Sequence, residues 1–145
     1  MITDANNRII VRDTLNWAIV SVDANLNNPK NKWNKVRSYK EYLSDALNVM
    51  EMTEETKELL SLYNESLEAF KQSSQWMQGK DSFTINKRNR EWTIFKNNNF
   101  YMGHQSKDRV QTKLLEFFIK TDVLNGTTIE QSLKIQMQGV KDAKA

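Results

Sequence analysis

The stretch from Phe83 to Tyr101 constrains this chain most, because its apolar residues recur with a period of two. Such alternation is typical of β-strands that bury one face. Two polar interruptions, Lys87-Arg88-Asn89 and Asn97-Asn98-Asn99, divide the stretch and have the composition of turns. We therefore expect a β-hairpin or a three-strand antiparallel meander here. Its tips would carry four bases: Lys87, Arg88, Arg90 and Lys96.

The segments before this stretch carry apolar residues at steps of three and four, which predict helices. The first helix is expected from about Asp4 to Leu26, and Pro29 prevents its continuation because proline lacks the amide donor. The second is expected from Ser38, which forms a serine-x-x-glutamate capping box with Glu41. A basic loop would join these two helices.

The third predicted helix is the longest. Thr53 precedes it and can cap it through its hydroxyl oxygen. An apolar stripe extends to Met77, so we expect the helix to reach Gln78 and to end at Gly79, a residue suited to the left-handed backbone of a C-cap. This helix would lead directly into the β segment.

Two further helices are expected after the β segment. Ser106 can cap the fourth helix, and Asn125-Gly126 would end it. Thr127 and Glu130 form a second capping-box pattern, which predicts a short fifth helix. The polar tail from about Lys141 is expected to fray.

The predicted fold class is α+β and mostly helical. A bundle of about five helices would hold a small antiparallel hairpin or three-strand meander between helices three and four. A length of 145 residues with 39% hydrophobic residues suits one globular domain, residues 1–145.

The composition narrows the class of protein. The chain has no cysteine, which excludes disulfides, thiol catalysis and thiolate metal sites. No apolar run approaches the roughly 20 residues that cross a bilayer, and the first residues do not have the pattern of a signal peptide. We expect a soluble cytoplasmic protein that makes no membrane contact. Abundant asparagine with only four glycines and one proline suggests AT-rich coding DNA, as in many phages and low-GC bacteria.

The net charge of +3 is the sum of three segregated zones. Residues 28–40 carry a charge of +5, residues 41–70 carry −7, and residues 80–113 carry +5. This uneven distribution of charge gives more information about binding partners than about the fold.

Aromatic residues lie among the bases of both positive zones, a combination that suits nucleic acid because cations hold phosphates and rings stack on bases. The leading hypothesis is a non-enzymatic binding protein from a phage or mobile element that docks on nucleic acid or on a nucleoprotein enzyme. Alternatively, the strand aromatics form the core and the tip lysines protect the sheet edges from aggregation. The candidate binding residues are Lys30, Lys32, Trp33, Lys35, Arg37, Lys87, Arg88, Arg90, Lys96, Lys107 and Arg109.

The acidic residues of the third predicted helix suggest two other functions. The helix could dock on a basic host protein as an inhibitor or adaptor, or its carboxylates could hold Mg²⁺ in a nucleotide hydrolase. The geometry argues against the Mg²⁺ hypothesis, because the four acids span about 21 Å along one helix and cannot all ligate one ion. We therefore expect no metal. The acids are Glu54, Glu58, Glu65 and Glu68.

No arrangement of residues predicts catalysis. His104 is the only histidine, and no nucleophile motif accompanies it. We expect neither enzymatic activity nor a cofactor. A winged-helix reader is also rejected, because its third helix should be basic. The stripe from Leu60 to Met77 has heptad spacing, which leaves a homodimer seam as an alternative to intramolecular packing.

Overall fold

The computed structural model forms two compact units, Met1–Tyr63 and Asn64–Ala145, and the described residues contain four helices and two antiparallel sheets. This is a mixed α+β fold, so the expectation of a five-helix bundle with a small hairpin is wrong. The structure describes residues 5, 8–12, 17–21, 36–50 and 52–144. The strands are β1 Arg8–Arg12, β2 Trp17–Ser21, β3 Val36–Lys40, β4 Gln75–Gln78, β5 Asp81–Arg88, β6 Glu91–Lys96 and β7 Asn99–His104. The helices are α1 Leu43–Val49, α2 Glu54–Lys71, α3 Lys107–Leu124 and α4 Ile129–Lys144.

The first unit contains a three-stranded antiparallel sheet in the order β1-β2-β3, and helix α1 contacts β2 and β3. Ile9, Trp17 and Ile19 are buried on this sheet, and Leu43 and Leu47 are buried on α1. By strand alternation Trp17 and Ile19 share one face of the sheet and Ile9 lies on the other, and burial of such large apolar groups is the main favourable term in folding.

Among the residues of the first predicted helix, those that the structure describes form mainly two paired antiparallel strands, so that prediction is wrong. In β1 the sequence Arg-Ile-Ile-Val-Arg is β-branched at its centre, and such residues favour strands because their χ1 angles are restricted in helices. Residues 9 and 10 of β1 pair with residues 20 and 19 of β2. Ser38 lies in β3, so its capping box starts no helix, and α1 begins five residues later at Leu43.

The second unit contains a four-stranded antiparallel meander in the order β4-β5-β6-β7. Three of its strands lie in the predicted β segment, whereas β4 lies where the end of the third helix is expected. Two-residue turns connect the strands, and positive φ angles occur at Gly79 (61°), Asn89 (57°), Asn97 (50°) and Asn98 (70°). Glycine and asparagine tolerate this conformation better than other residues, which explains their place in tight hairpins.

Helices α3 and α4 pack on one face of this sheet: α3 contacts β6 and β7, while α4 contacts β4 and α3. The ring of Phe118 on α3 packs edge to face against Phe70 at 5.6 Å and against Phe83 at 4.9 Å between centroids. Trp76 of β4 stacks on Phe70 at 4.8 Å. This aromatic cluster joins the sheet to the end of α2 and to α3.

The third predicted helix ends seven residues earlier than expected, at Lys71 rather than Gln78. Ser73 Oγ donates to the carbonyl of Gln75 at 2.6 Å and accepts from its amide at 3.2 Å, a local interaction that competes with helical hydrogen bonds. Gln111 of α3 donates to the carbonyl of Lys71 at 3.3 Å and satisfies the helix end. Gly79 therefore lies in the β4–β5 turn and not at a helix end.

Local capping signals were predicted more accurately. The hydroxyl of Thr53 accepts from the amide of Thr56 at 3.2 Å, and that of Ser106 accepts from the amide of Arg109 at 3.3 Å. Both predicted caps are confirmed. The last helix is capped by Thr128, one residue after the predicted Thr127. The single domain with a frayed tail from about residue 141 stays a prediction.

Candidate nucleic-acid interface

The β4–β7 sheet has two different faces. Strand alternation turns Phe83, Ile85 and Ile94 toward the helices, where they are buried. The opposite face, called here the open face, includes the exposed side chains of Met77 (64% exposed) and Phe100 (67% exposed). From the strand register, the open face consists of Gln75, Met77, Ser82, Thr84, Asn86, Arg88, Glu91, Thr93, Phe95, Phe100 and Gly103.

Four bases lie at the end of this sheet that holds the β5–β6 turn and the start of α3. Lys87 pairs across the strands with Trp92, and Trp92 pairs with His104. Because β7 ends at His104 and α3 begins at Lys107, the start of the helix returns to the same end. The group called here the basic end consists of Lys87, Arg88, Arg90 and Lys107, all of them exposed.

Two of these bases approach one indole ring. The ammonium of Lys107 lies 5.0 Å from the centroid of Trp92, and that of Lys87 lies 5.6 Å from it. Both distances are within the range of cation–π attraction, which orders the two side chains without neutralising their charges. Neither lysine makes an ion pair with a carboxylate in the part of the chain that the structure describes.

Arg88 links the basic end to the middle of the open face. Its backbone pairs with Glu91 at the end of the sheet, yet its guanidinium carbon lies 5.4 Å from the ring centroid of Phe95, four residues further along β6. The side chain therefore runs along the strand from Glu91 toward Phe95, and Thr93, which lies between these two residues on the open face, is 5% exposed. A planar cation stacked on a ring is a surface that can contact both bases and phosphates.

Two other predicted bases differ in setting. Lys96 lies at the opposite end of the sheet, 3.7 Å from a carboxylate oxygen of Asp81 and within 5.9 Å of the rings of Phe83 and Tyr101. It does not belong to the basic end. Arg109 lies in the first turn of α3 and is exposed, near Lys107.

The first basic zone is largely outside the described residues. Lys30, Lys32, Trp33 and Lys35 fall there, and Arg37 lies in β3 of the first unit. Their part in binding stays a prediction.

The predicted acidic surface lies on α2, where Glu54, Glu58, Glu65 and Glu68 are all exposed. Glu54 pairs with Lys57 at 3.9 Å and Glu68 pairs with Lys71 at 3.8 Å, both pairs being three residues apart. Over the residues that are described, no group of three or more histidine or acidic side chains is arranged to hold a metal. In the same part of the chain, no helix has the length and apolar character that a membrane crossing requires.

His104 has a local structural contact. Its Nδ1 accepts a hydrogen bond from the amide of Ser106 at 2.9 Å, which orients the ring at the junction of β7 and α3. This contact helps to direct the start of α3 toward the basic end.

The positive charge of the molecule belongs to the second unit. Residues 64–145 contain thirteen bases and nine acids, a net charge of +4, while residues 1–63 contain eight bases and nine acids, a net charge of −1. The basic end therefore lies in the unit that would attract a polyanion.

No family model, curated protein sequence or solved structure matches this chain.

Proposed function

We propose that this protein is a non-enzymatic binding protein that docks on nucleic acid, alone or within a nucleoprotein complex, through the basic end and the open face of the β4–β7 sheet. One observation supports the proposal: four exposed bases lie together at one end of the sheet, next to a face that carries an exposed aromatic ring. None of the four makes an ion pair with a described carboxylate. Unpaired cations of this kind attract phosphates, and their contacts release counterions from the nucleic acid.

The test is fluorescence anisotropy with labelled single-stranded and double-stranded DNA and RNA at about 50 and 200 mM salt, a range across which phosphate-mediated binding weakens steeply. The informative variant reverses three charges of the basic end: Lys87→Glu, Arg88→Glu and Arg90→Glu. We expect this variant to lose binding. Unchanged affinity at the lower salt concentration would reject the proposal.

A matched control separates local contacts from total charge. The triple variant Lys57→Glu, Lys80→Glu and Lys134→Glu changes the net charge of +3 by the same amount, at exposed positions outside the basic end. We expect the control to bind with only a modest loss, because long-range attraction decreases but the phosphate contacts stay. Equal losses in both variants would mean that no localised site exists.

The second candidate function is docking on a basic host protein through α2. Glu58 and Glu65 are exposed there and make no ion pair with a described residue, so their charges are available to a partner. Changing Glu58, Glu65 and Glu68 to lysine should then abolish capture of the partner from a cell lysate. Full retention of the partner would reject this function.

A further inference from the structure

The ring of Phe100 is placed differently from the other aromatic groups of the second unit. It lies on the edge strand β7, is 67% exposed, and stacks on no other ring or cation in the part of the chain that the structure describes. Its neighbour Tyr101 instead packs edge to face against Phe83 and Phe117, each at 5.6 Å. Adjacent residues of β7 thus have opposite environments.

An irregularity in the strand register produces this arrangement. Ile94 pairs with Met102 and Phe95 pairs with Phe100, so β7 has one extra residue, Tyr101, between the two pairs. Such a bulge redirects side chains relative to a regular strand. Here it sends Tyr101 to the helices and leaves Phe100 on the open face directly across from Phe95.

Planar side chains therefore form a row that extends from the basic end across the open face. The guanidinium of Arg88 covers the ring of Phe95, and the ring of Phe100 lies on the next strand with its surface exposed. Nucleic-acid bases stack on both guanidinium planes and phenylalanine rings. Phosphates of the same ligand would meet the unpaired charges of Lys87, Arg90 and Lys107.

The state of the nucleic acid follows from the stacking requirement. In a duplex both surfaces of each internal base are covered by its neighbours, so stacking on Phe100 would require unstacking first. In a single strand the bases can turn outward onto a protein ring without that cost. An exposed ring on an open sheet face therefore favours a single strand over a duplex.

We infer that the ligand is single-stranded nucleic acid, DNA or RNA, with one base stacked on Phe100 and phosphates further along the same nucleic-acid chain held at the basic end. This inference rests on the proposed function and specifies its ligand. Phe100 is the position that selects single strands, and Arg88 on Phe95 provides the adjoining surface.

The experiment compares Phe100→Ala with the unaltered protein on two oligonucleotides of equal length, one of thymidines and one with the same phosphates but abasic sugars throughout. We expect Phe100→Ala to weaken binding of the first by about 5- to 150-fold, the range of base–aromatic stacking, and of the second by less than about twofold. Leu124→Ala is the control, because Leu124 is also an exposed apolar residue (55% exposed) but lies at the end of α3, outside the open face and the basic end. Circular dichroism verifies that each variant is folded.

The outcomes separate this inference from the proposed function. A duplex of the same length that binds as tightly as the single strand would overturn the inference, as would equal losses of Phe100→Ala on the two oligonucleotides. Either result leaves the proposed function intact if the basic-end triple variant still loses binding. Absence of binding to every nucleic acid would remove both. A single-stranded RNA oligonucleotide of matched sequence determines which sugar is preferred.

Discussion

Asn97 and Asn98 form the turn between β6 and β7 with φ angles of 50° and 70°, which most side chains avoid. Two consecutive positive φ angles match the twist of the flanking strands in a two-residue hairpin. Asn97 adds side-chain contacts: its Oδ1 accepts from the amide of Ser82 and its Nδ2 donates to Asp81, both at 2.9 Å. The two asparagines therefore differ in their roles.

The effect of substituting Asn98 on stability should depend only on how readily the new residue adopts a positive φ angle. We expect Asn98→Ala to destabilise the protein by about 1 kcal/mol, because alanine adopts positive φ poorly, and Asn98→Gly to be neutral or slightly stabilising. Urea denaturation followed by circular dichroism measures both. Equal stability of the two variants would show that the turn does not require this conformation in solution.

Tyr101 gives a prediction that depends on pH. Its partial burial disfavours the charged phenolate and raises the pKa above the ordinary value of 10.0. Because the folded-state pKa is the higher one, the stabilising contribution of the neutral phenol is complete below pH 10.0 and is lost as pH rises through the folded value.

We expect one phenol ionisation in the ultraviolet titration of the native protein to be absent from the titration of Tyr101→Phe. The pH midpoint of that ionisation should lie above that of free tyrosine. The difference between the two titration curves isolates it from the other three of the four tyrosines. A midpoint at or below that of free tyrosine would contradict the burial of this ring.

At the scale of helices and strands, the carboxylate of Asp122 near the end of α3 accepts hydrogen bonds from side chains of two other elements. Its oxygens accept from Ser132 Oγ at 2.7 Å and Gln136 Nε2 at 2.9 Å on α4, and from Gln78 Nε2 at 3.3 Å on β4. One side chain thus joins three elements. Ser132 and Gln136 are buried, so they depend on this acceptor.

Replacing Asp122 should loosen the packing of α4. We expect Asp122→Ala to lower the free energy of unfolding by about 2–3 kcal/mol, because two buried donors lose their acceptor, and Asp122→Asn to cost less. The midpoint of urea unfolding reports the change. Glu65→Ala, at an exposed carboxylate, is the control and should stay within about 0.5 kcal/mol of the unaltered protein. An equal effect of both alanine variants would exclude the network as the cause.

The chain as a whole combines a second unit of charge +4 with a first unit of charge −1. This distribution favours encounter of polyanions with the unit that carries the basic end. The number of phosphate contacts can then be measured from the dependence of affinity on salt.

If the four bases of the basic end each contact a phosphate of a single strand, the slope of log K against log salt should be about −3. Lys107→Ala should reduce its magnitude by about 0.7. Lys80→Ala removes an exposed lysine at the opposite end of the sheet and should leave the slope unchanged. A slope near zero for the unaltered protein would show that phosphates are not contacted.

Features that depend on a few consecutive residues were predictable from the chain. The caps at Thr53 and Ser106, the stop at Asn125-Gly126 and the asparagine turns are of this kind. Each is a hydrogen bond or a dihedral preference within about four residues, so distant parts of the chain have little influence on it.

The helix predicted over residues 4–26 failed because its apolar pattern fits both periods. Val11 and Ile19 are separated by eight residues, a spacing that suits a helix, but strand pairing between β1 and β2 provides hydrogen-bond partners and burial that the helical period does not reveal. Likewise, Met77 extended the apolar stripe of the predicted third helix, but it lies in strand β4, where the indole of its neighbour Trp76 donates to the carbonyl of Phe70.

The candidate site divides in the same way. The bases around Asn89 and the aromatic residues between them could be identified from composition and spacing, because charge and turn chemistry are properties of the residues themselves. The sequence could not show which aromatic ring is exposed. A single extra residue in β7 reverses the faces of Phe100 and Tyr101 relative to a regular strand. Side-chain direction in a sheet depends on register with a neighbouring strand, and register is established only when the strands pair.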